Sequence, residues 1–526
     1  MMVFFRRALI SCSIGVMGLQ RGTLAMCASH DATRTSPLRV GLTGSIGMGK
    51  SRVTSHLRKL GFRVFDADDC VHRLYGRGGK AVEPVEALFP GVIEDGAVNR
   101  QRLGKMVLGA PEKLKALEQL VHPMVAADRE AFYALAQQEG DFLVVYDIPL
   151  LFETGQDGNM DYVMVVTADE ATQRSRVLRR SGMTAERLDA ILAKQVPDAI
   201  KRQKADFVVH TNYPGYAQAK AQVCRSLETI VDAHPDHFEK WLARRTDGSG
   251  CNRASPSDLN NDPSSSLSAP SPTFNIGTHF DAVVFDLDDT LVPVLKPLLD
   301  AFEVLKTELE SRGKPMTASA LGSLPESMQT LARADPLLAH DLTELRTQAL
   351  LDLLKSKGEA GKDVEVCVRD IMRMFVAARS LVSPHLYEHA LDCLAHLKAK
   401  GLKIGILTNG NADLSCDPVL APLVDVCLNA SAVGALKPAK IGFIAAAQRL
   451  NSIPGRVLFV GDSVAKDALA AQACGMCGVH FDMGGTADTE STVYAAGQEP
   501  DVVLTSLDPR HFEQKVKEWI EERETR

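Results

Sequence analysis

Eight consecutive residues, Gly44-Ser45-Ile46-Gly47-Met48-Gly49-Lys50-Ser51, constrain this chain more than any other segment. They fit G-x-x-x-x-G-K-[ST], follow the apolar run Leu38–Thr43, and lead into a helical stretch, Arg52–Leu60, that Gly61 can terminate. A buried strand, a tight glycine turn and a helix satisfy that order of residues. The glycines let successive backbone N–H groups curl around a polyphosphate, and the helix N-terminus adds positive potential. Lys50 supplies a mobile charge for the β- and γ-phosphates, and Ser51 a hydroxyl ligand for Mg2+. All eight residues are therefore expected to cradle ATP.

The surrounding text predicts the sheet that carries this turn. Short apolar runs at Leu38–Thr43, Arg63–Phe65, Phe142–Tyr146, Tyr162–Val166 and Phe207–Val209 alternate with amphipathic helical stretches. Strands buried on both faces between helices imply an α/β fold with a parallel sheet. A second such series opens at Phe280–Phe285 and continues at Lys403–Leu407, Val424–Leu428, Arg456–Val460, Gly478–Phe481 and Asp501–Leu504. Between the two series, 20 of the 28 residues from Thr246 to Thr273 are Ser, Pro, Gly, Asn or Asp, which cannot form a core and reads as a flexible linker. The expected organisation is a first domain over 38–242, a linker over 246–279 and a second domain over 280–526, within which 294–397 looks almost entirely helical.

Composition sets the remaining bounds. A chain of 526 residues that is 45% hydrophobic and 24% charged is ordinary for a soluble protein of two or three domains. The net charge of −7 gives no global argument for a nucleic-acid surface. The eleven cysteines show no regular framework, so reduced thiols fit better than a disulfide scaffold, and Cys474-Gly-Met-Cys477 reads as packing. The first 30 residues, within an expected leader over 1–36, contain Arg6, Arg7 and Arg21 but no Asp or Glu, and Asp31 is the first acid. That is the composition of an organelle transit peptide, with the mitochondrion expected and a plastid or the cytoplasm as alternatives. The apolar run Ala8–Leu19 is too short for a membrane span.

What receives the phosphoryl group is suggested by the next segment. Val64-Phe-Asp66-Ala-Asp68-Asp69 puts carboxylates at the carboxyl end of the second strand, where open α/β sheets bind ligands. A carboxylate there can accept the proton of an attacking hydroxyl, or these acids can cap the next helix, Asp69 above all. Together with Leu120-Val-His122-Pro123, Ile148-Pro149-Leu150-Leu-Phe-Glu153, Ile191-Leu-Ala-Lys-Gln195 and Ala205-Asp206-Phe-Val-Val, these blocks resemble dephospho-CoA kinase, in the family's order. The resemblance implies ATP-dependent phosphorylation of the 3′-hydroxyl of dephospho-CoA, with Asp68 as base. It also implies that Asp66, Pro149, Leu150 and Glu153 bind substrate and that lid arginines Arg176 and Arg180 clamp phosphates. His122, before Pro123, reads as a helix-end packing residue, with a substrate role as the alternative.

In the second domain Asp286-Leu-Asp288-Asp-Thr290, Thr408-Asn409-Gly410, Lys437-Pro438 and Asp462…Asp467 each end a strand or open a helix. Taken in order, they resemble the haloacid dehalogenase-like superfamily. A carboxylate can attack phosphorus only if a cation neutralises both groups. The resemblance implies Asp286 as nucleophile, Asp288 as acid and base, Thr408 and Lys437 holding phosphoryl oxygens, and Mg2+ held by Asp286, Asp288, Asp462 and Asp467. The helical stretch 294–397 matches the position of a cap over the site. The expectation is a P-loop-type parallel sheet with a helical lid and CoA region, linked to a Rossmann-like hydrolase domain acting on an unidentified phosphate monoester. The alternative is another small-molecule P-loop kinase with a regulatory, non-catalytic second domain.

Overall fold

A computed structural model describes residues 36–107, 110–212, 216–243, 274–483, 494 and 497–525. The expected leader, save its last residue, and the linker up to residue 273 lie outside the described residues. The described residues form two compact units: those up to 219 together with 236–241, and 220–235 together with those from 242 onward. The first unit reaches residue 241, and residues 220–235 group with the second unit. The expected linker also ends early: Asn275 caps a short 3-10 turn, Ile276–Thr278, and Ile276 is fully buried in the second core.

In the first unit the strands are β1 (Leu38–Thr43), β2 (Arg63–Asp66), a small antiparallel hairpin of β3 (Ile93–Glu94) and β4 (Ala97–Val98), β5 (Leu143–Asp147), β6 (Tyr162–Thr167) and β7 (Phe207–His210). The main sheet runs β2-β5-β1-β6-β7, parallel throughout. Its apolar runs are buried on both faces, with Val40, Leu42, Val144, Val145 and Val165 almost inaccessible, as the sequence requires of a strand covered by helices. β1 is central, so the turn after Thr43 opens at the middle of the sheet's carboxyl edge. There the register sets Leu42 beside Asp147 and Asp66 beside Asp147.

The helix Pro111–Glu139 contains both His122 and Pro123 in its interior. His122 is buried there, so its expected position near a helix end is corrected. The helix continues through the proline and ends on Gly140 in the left-handed conformation.

The second unit holds β8 (Ala282–Phe285), β9 (Lys403–Thr408), β10 (Val426–Asn429), β11 (Val457–Gly461), β12 (Cys477–Phe481) and β13 (Val502–Leu504). Their order is β10-β9-β8-β11-β12-β13, again parallel. Five helices between residues 295 and 380 surround a separate apolar cluster that includes Leu305, Leu350, Ile371 and Phe375. The helix Ala390–Ala399 belongs elsewhere: Ala390, Cys393, Leu394 and Leu397 pack in the core of the sheet. The cap therefore ends at Ser380 and not at 397. Helical periodicity alone cannot tell which core a buried face will join. Cys474 and Cys477 are both buried free thiols, in keeping with packing. No described helix is long and apolar enough to cross a membrane.

Candidate active sites

The first site grows from the turn after β1. Gly47 and Gly49 have φ of +82° and +91°, a region in which side chains are strained, and a Cβ on Gly47 would sit 2.5 Å from Val177. Gly49 caps the helix Lys50–Lys59, and a Cβ on Gly44 would meet the Val166 carbonyl at 2.6 Å. The turn is held from outside. Ile46 donates its N–H to Gln195 Oε1 at 3.3 Å and accepts from Gln173 Nε2 at 2.7 Å. Thr211 Oγ1 donates to the Met48 carbonyl at 2.7 Å. Ser45 is buried within the loop, while Ser51, one residue into the helix, is exposed. The backbone is thus braced for a polyphosphate before one arrives.

The charge around this turn comes from residues far apart in sequence. Lys50 Nζ ion-pairs with Asp147, whose other oxygen accepts from Thr54 Oγ1 at 2.5 Å. Asp147 is almost wholly buried at the end of β5, and sequence reasoning missed it; the available signal was an acid closing an apolar strand. Asp66 accepts from the N–H groups of Asp68 and Asp69 at 2.9 and 3.2 Å, so Asp66 and not Asp69 caps the helix Ala67–Tyr75. Its carboxyl is raised above the ordinary value by burial and by the charge of Asp147. Asp68, one residue inside that helix, is half-buried.

The other expected residues separate. The Pro149 carbonyl accepts from Thr43 Oγ1 at 3.2 Å, which ties the loop after β5 to the base of the phosphate turn. Leu150 is buried in the core of that unit. Glu153 accepts from Val196 N and pairs with the fully buried Lys201 at 2.8 Å, a partner the motif did not reveal. Arg176 donates to Thr211 Oγ1 and to its carbonyl, and its guanidinium lies 3.4 Å from where a Cβ on Gly49 would be. Burial, then the like charge of Arg52, lowers its pKa. Arg180 lies beyond the end of the helix Glu170–Leu178 with its side chain exposed.

The second site sits at the carboxyl edge of β8, β9 and β11. Asp286, Asp288, Thr408, Lys437, Asp462 and Asp467 line one pocket together with Asn409, Gly410, Ser463 and Lys466. Lys437 Nζ lies 2.8 Å from Asp286 and 2.6 Å from Asp467. Burial pushes the Asp286 carboxyl up to about 7, with Asp467 adding to the shift and Lys437 opposing it. Burial works against the Lys437 ammonium, yet Asp286 and Asp467 overcome it and hold its pKa above the ordinary value. Gly461 makes room for Asp467: a Cβ there would come within 2.4 Å of the carboxylate carbon. Asn409 clasps the backbone of Lys437 from both sides, and Thr408 Oγ1 accepts from Gly410 N at 2.9 Å.

One carboxylate oxygen from each of Asp286, Asp462 and Asp467 lies within 4.8 Å of the others. Three carboxylates around a single ammonium leave negative charge that a hard divalent cation with oxygen ligands would offset, so this donor set fits Mg2+. Asp288 does not join that cluster. It lines the same pocket, and its carboxylate ion-pairs with Arg379. The physical reason is reach: the second acid of the motif turns toward the cap, and Arg379 at the end of the helix Lys362–Ser380 meets it there.

The sequence model of dephospho-CoA kinase matches residues 38–214, and that of haloacid dehalogenase-like hydrolase matches residues 280–475. The chain is 52% identical over 193 residues to a dephospho-CoA kinase of Mesorhizobium japonicum, covering 37% of this chain and 94% of that one. It is 48% identical over 201 residues to the dephospho-CoA kinase of Novosphingobium aromaticivorans, covering 38% and 98%. Among solved structures, a 2-haloacid dehalogenase from Pseudomonas syringae pv. Tomato DC3000 has a TM-score of 0.39 at 25% identity, covering 46% of this chain and 99% of that one. The dephospho-CoA kinase from Campylobacter jejuni has a TM-score of 0.29 at 24% identity, covering 36% and 96%. With a braced phosphate turn, strand-end acids beside it and nearly the full length of its relatives matched, the chain belongs to the dephospho-CoA kinase family and carries a haloacid dehalogenase-like hydrolase domain in the same polypeptide.

Proposed function

We propose that the first unit transfers the γ-phosphoryl group of ATP to the 3′-hydroxyl of dephospho-CoA, giving coenzyme A and ADP. The observation that carries this reading is the 52% identity to a dephospho-CoA kinase over 94% of its length, with the braced turn and strand-end acids intact. Backbone N–H groups of residues 44–49 receive the phosphates, and Lys50 leaves Asp147 to follow the charge that develops on them. Asp68 accepts the proton of the ribose hydroxyl as its oxygen bonds to the γ-phosphorus and the bond to the β-phosphate oxygen breaks. Mg2+ bound with ATP supplies charge neutralisation for the phosphates, with the Ser51 hydroxyl available to it. The test is an acceptor panel with ATP and Mg2+: turnover confined to dephospho-CoA and lost in Lys50→Ala supports the reading, while preference for a nucleoside or nucleotide refutes it.

The second unit is proposed to hydrolyse a small phosphate monoester with Mg2+. Asp286 would attack phosphorus and Asp288 would give a proton to the leaving oxygen, then take one from water to release phosphate from the aspartyl-phosphate. Asp286, Asp462 and Asp467 would hold the cation, which lowers the repulsion between nucleophile and phosphate. Support comes from the six residues gathered in one pocket. Release of p-nitrophenol from p-nitrophenyl phosphate by the full chain, abolished by chelation and by Asp286→Asn, tests it; a regulatory domain would give none.

A further inference from the structure

Two arginines in the cap carry more buried positive charge than their neighbours offset. Arg379 is 2% exposed, ion-pairs with Asp288, and its Nη2 lies 3.7 Å from where a Cβ on Gly410 would be; Asp288 and Gly410 both line the pocket. Its Nη1 is buried without a hydrogen-bond partner. Arg346, 7% exposed on the helix Leu342–Ser356, stacks over Phe375 at 4.5 Å, one turn before Arg379 on the adjacent helix. Its Nε and Nη1 are also buried and unpartnered, and no carboxylate pairs with it among the described residues. Burial and the like charge of Arg379 push its pKa down to about 10, so it remains a cation at neutral pH.

An uncompensated buried guanidinium is costly, and two of them with a single paired carboxylate, on Arg379, leave a surplus positive charge in a water-poor wall. The helices that carry them are themselves held to the loop after β9: Asn411 Nδ2 donates to Thr343 Oγ1 at 3.1 Å, and Asp413 N donates to Ser380 Oγ at 2.8 Å. The surplus therefore sits at a fixed place relative to the pocket. Planar guanidinium forks match carboxylate and phosphate oxygens two at a time.

We infer that Arg346 and Arg379 form an anion subsite, and that the substrate of the second domain is a phosphate monoester bearing a second acidic group, a carboxylate or another phosphate. The phosphoryl group lies against Thr408 and Lys437, and the second anion reaches the cap wall. The inference rests on the hydrolase reading for its chemistry but not for its binding.

The test uses the full chain with Mg2+ and three probes: phosphoglycolate for a carboxylate, fructose 1,6-bisphosphate for a second phosphate, and ethyl phosphate with no second anion. Phosphate release gives kcat and KM for each, and thermal midpoints with each probe in chelator give binding without turnover. The wild type should favour at least one acid-bearing ester by ~10–150-fold in kcat/KM, mostly through KM, the worth of a charged hydrogen bond. That preference should shrink toward unity in Arg346→Met and recover in part in Arg346→Lys, and the midpoint shift should follow the same order. The better of the two acid-bearing probes identifies the second group. Equal handling of all three probes by the wild type, or a preference untouched by Arg346→Met, overturns the subsite while leaving the hydrolase reading standing. No turnover of any ester, together with an Arg346-dependent midpoint shift from an acid-bearing one, sustains the subsite and removes the hydrolase reading.

Discussion

The ammonium of Lys50, in the phosphate turn, is ion-paired with the buried carboxylate of Asp147 at the end of the neighbouring strand β5. Thr54, one turn along the helix that Lys50 opens, closes on the same carboxylate. The lysine is thus held by a buried carboxylate. That makes Asp147 a positioning residue. Asp147→Asn should lower kinase kcat by ~10²-fold or more, since misplaced groups at a reacting centre cost that much. It should also lower stability by ~3–5 kcal/mol, the cost of breaking a buried pair. Measured together, lost stability with an unchanged kcat would reduce the residue to a structural role.

Asp66 and Asp68 are separable because one caps a helix and the other stands one residue inside it. Asp66→Ala should cost ~1 kcal/mol in denaturant unfolding, the usual worth of a cap. Asp68→Asn should leave stability nearly unchanged and cut kcat by ~10²–10⁴, the range of general-base catalysis. An unfolding defect in Asp68→Asn without a kinetic one would reverse the assignment.

Arg174 and Arg176, both on the helix Glu170–Leu178, should not contribute equally. Arg176 is tied through Thr211 to the Met48 carbonyl, so Arg176→Ala should raise KM for ATP ~10-fold, about the worth of one charged hydrogen bond. Arg174 pairs instead with Asp189 at 2.8 Å on the surface, and Arg174→Ala should leave ATP kinetics within about twofold, as exposed pairs contribute little. Steady-state kinetics with ATP as the varied substrate distinguishes the two.

In the second unit, Asp286→Asn should remove both turnover and any trapped aspartyl-phosphate. Asp288→Asn should slow release of an intermediate that still forms, most visibly with good leaving groups that need no proton. Rapid-quench labelling from a ³²P-labelled ester reads both. Labelled protein from Asp286→Asn would end the nucleophile assignment.

Stability without metal should fall as pH rises. The Asp286 carboxyl is raised to about 7 in the fold from an ordinary value near 4, so the native state binds that proton more tightly than the unfolded chain. Its contribution is complete below about pH 4 and is lost as pH climbs toward 7. Thermal unfolding in chelator should therefore show a steeper loss across that window in the wild type than in Asp286→Asn, and Mg2+ should offset it near pH 7. Parallel curves for the two proteins in chelator would remove Asp286 as the source.

Much of this was legible in the linear text, because motif chemistry depends on spacing within a few residues. The run Gly44–Ser51 dictates a turn whatever surrounds it, since only glycine accepts the φ values at Gly47 and Gly49. Strand-end acids such as Asp286 and Asp462 announce themselves by ending apolar runs. Strand positions followed from burial on both faces, with observed ends within a residue or two of expectation.

What tertiary structure alone decided was who meets whom. Lys50 and Asp147 are 97 residues apart, and Arg379 and Asp288 are 91 apart, so no local pattern could pair them. Sequence could not tell that the helix Ala390–Ala399 joins the sheet, because its apolar stripe would cover either core equally well. Nor could it distinguish the cap arginines from the many solvated ones. A guanidinium becomes informative only when the fold removes its water without supplying a carboxylate, and that depends on packing between helices and not on the residues beside it.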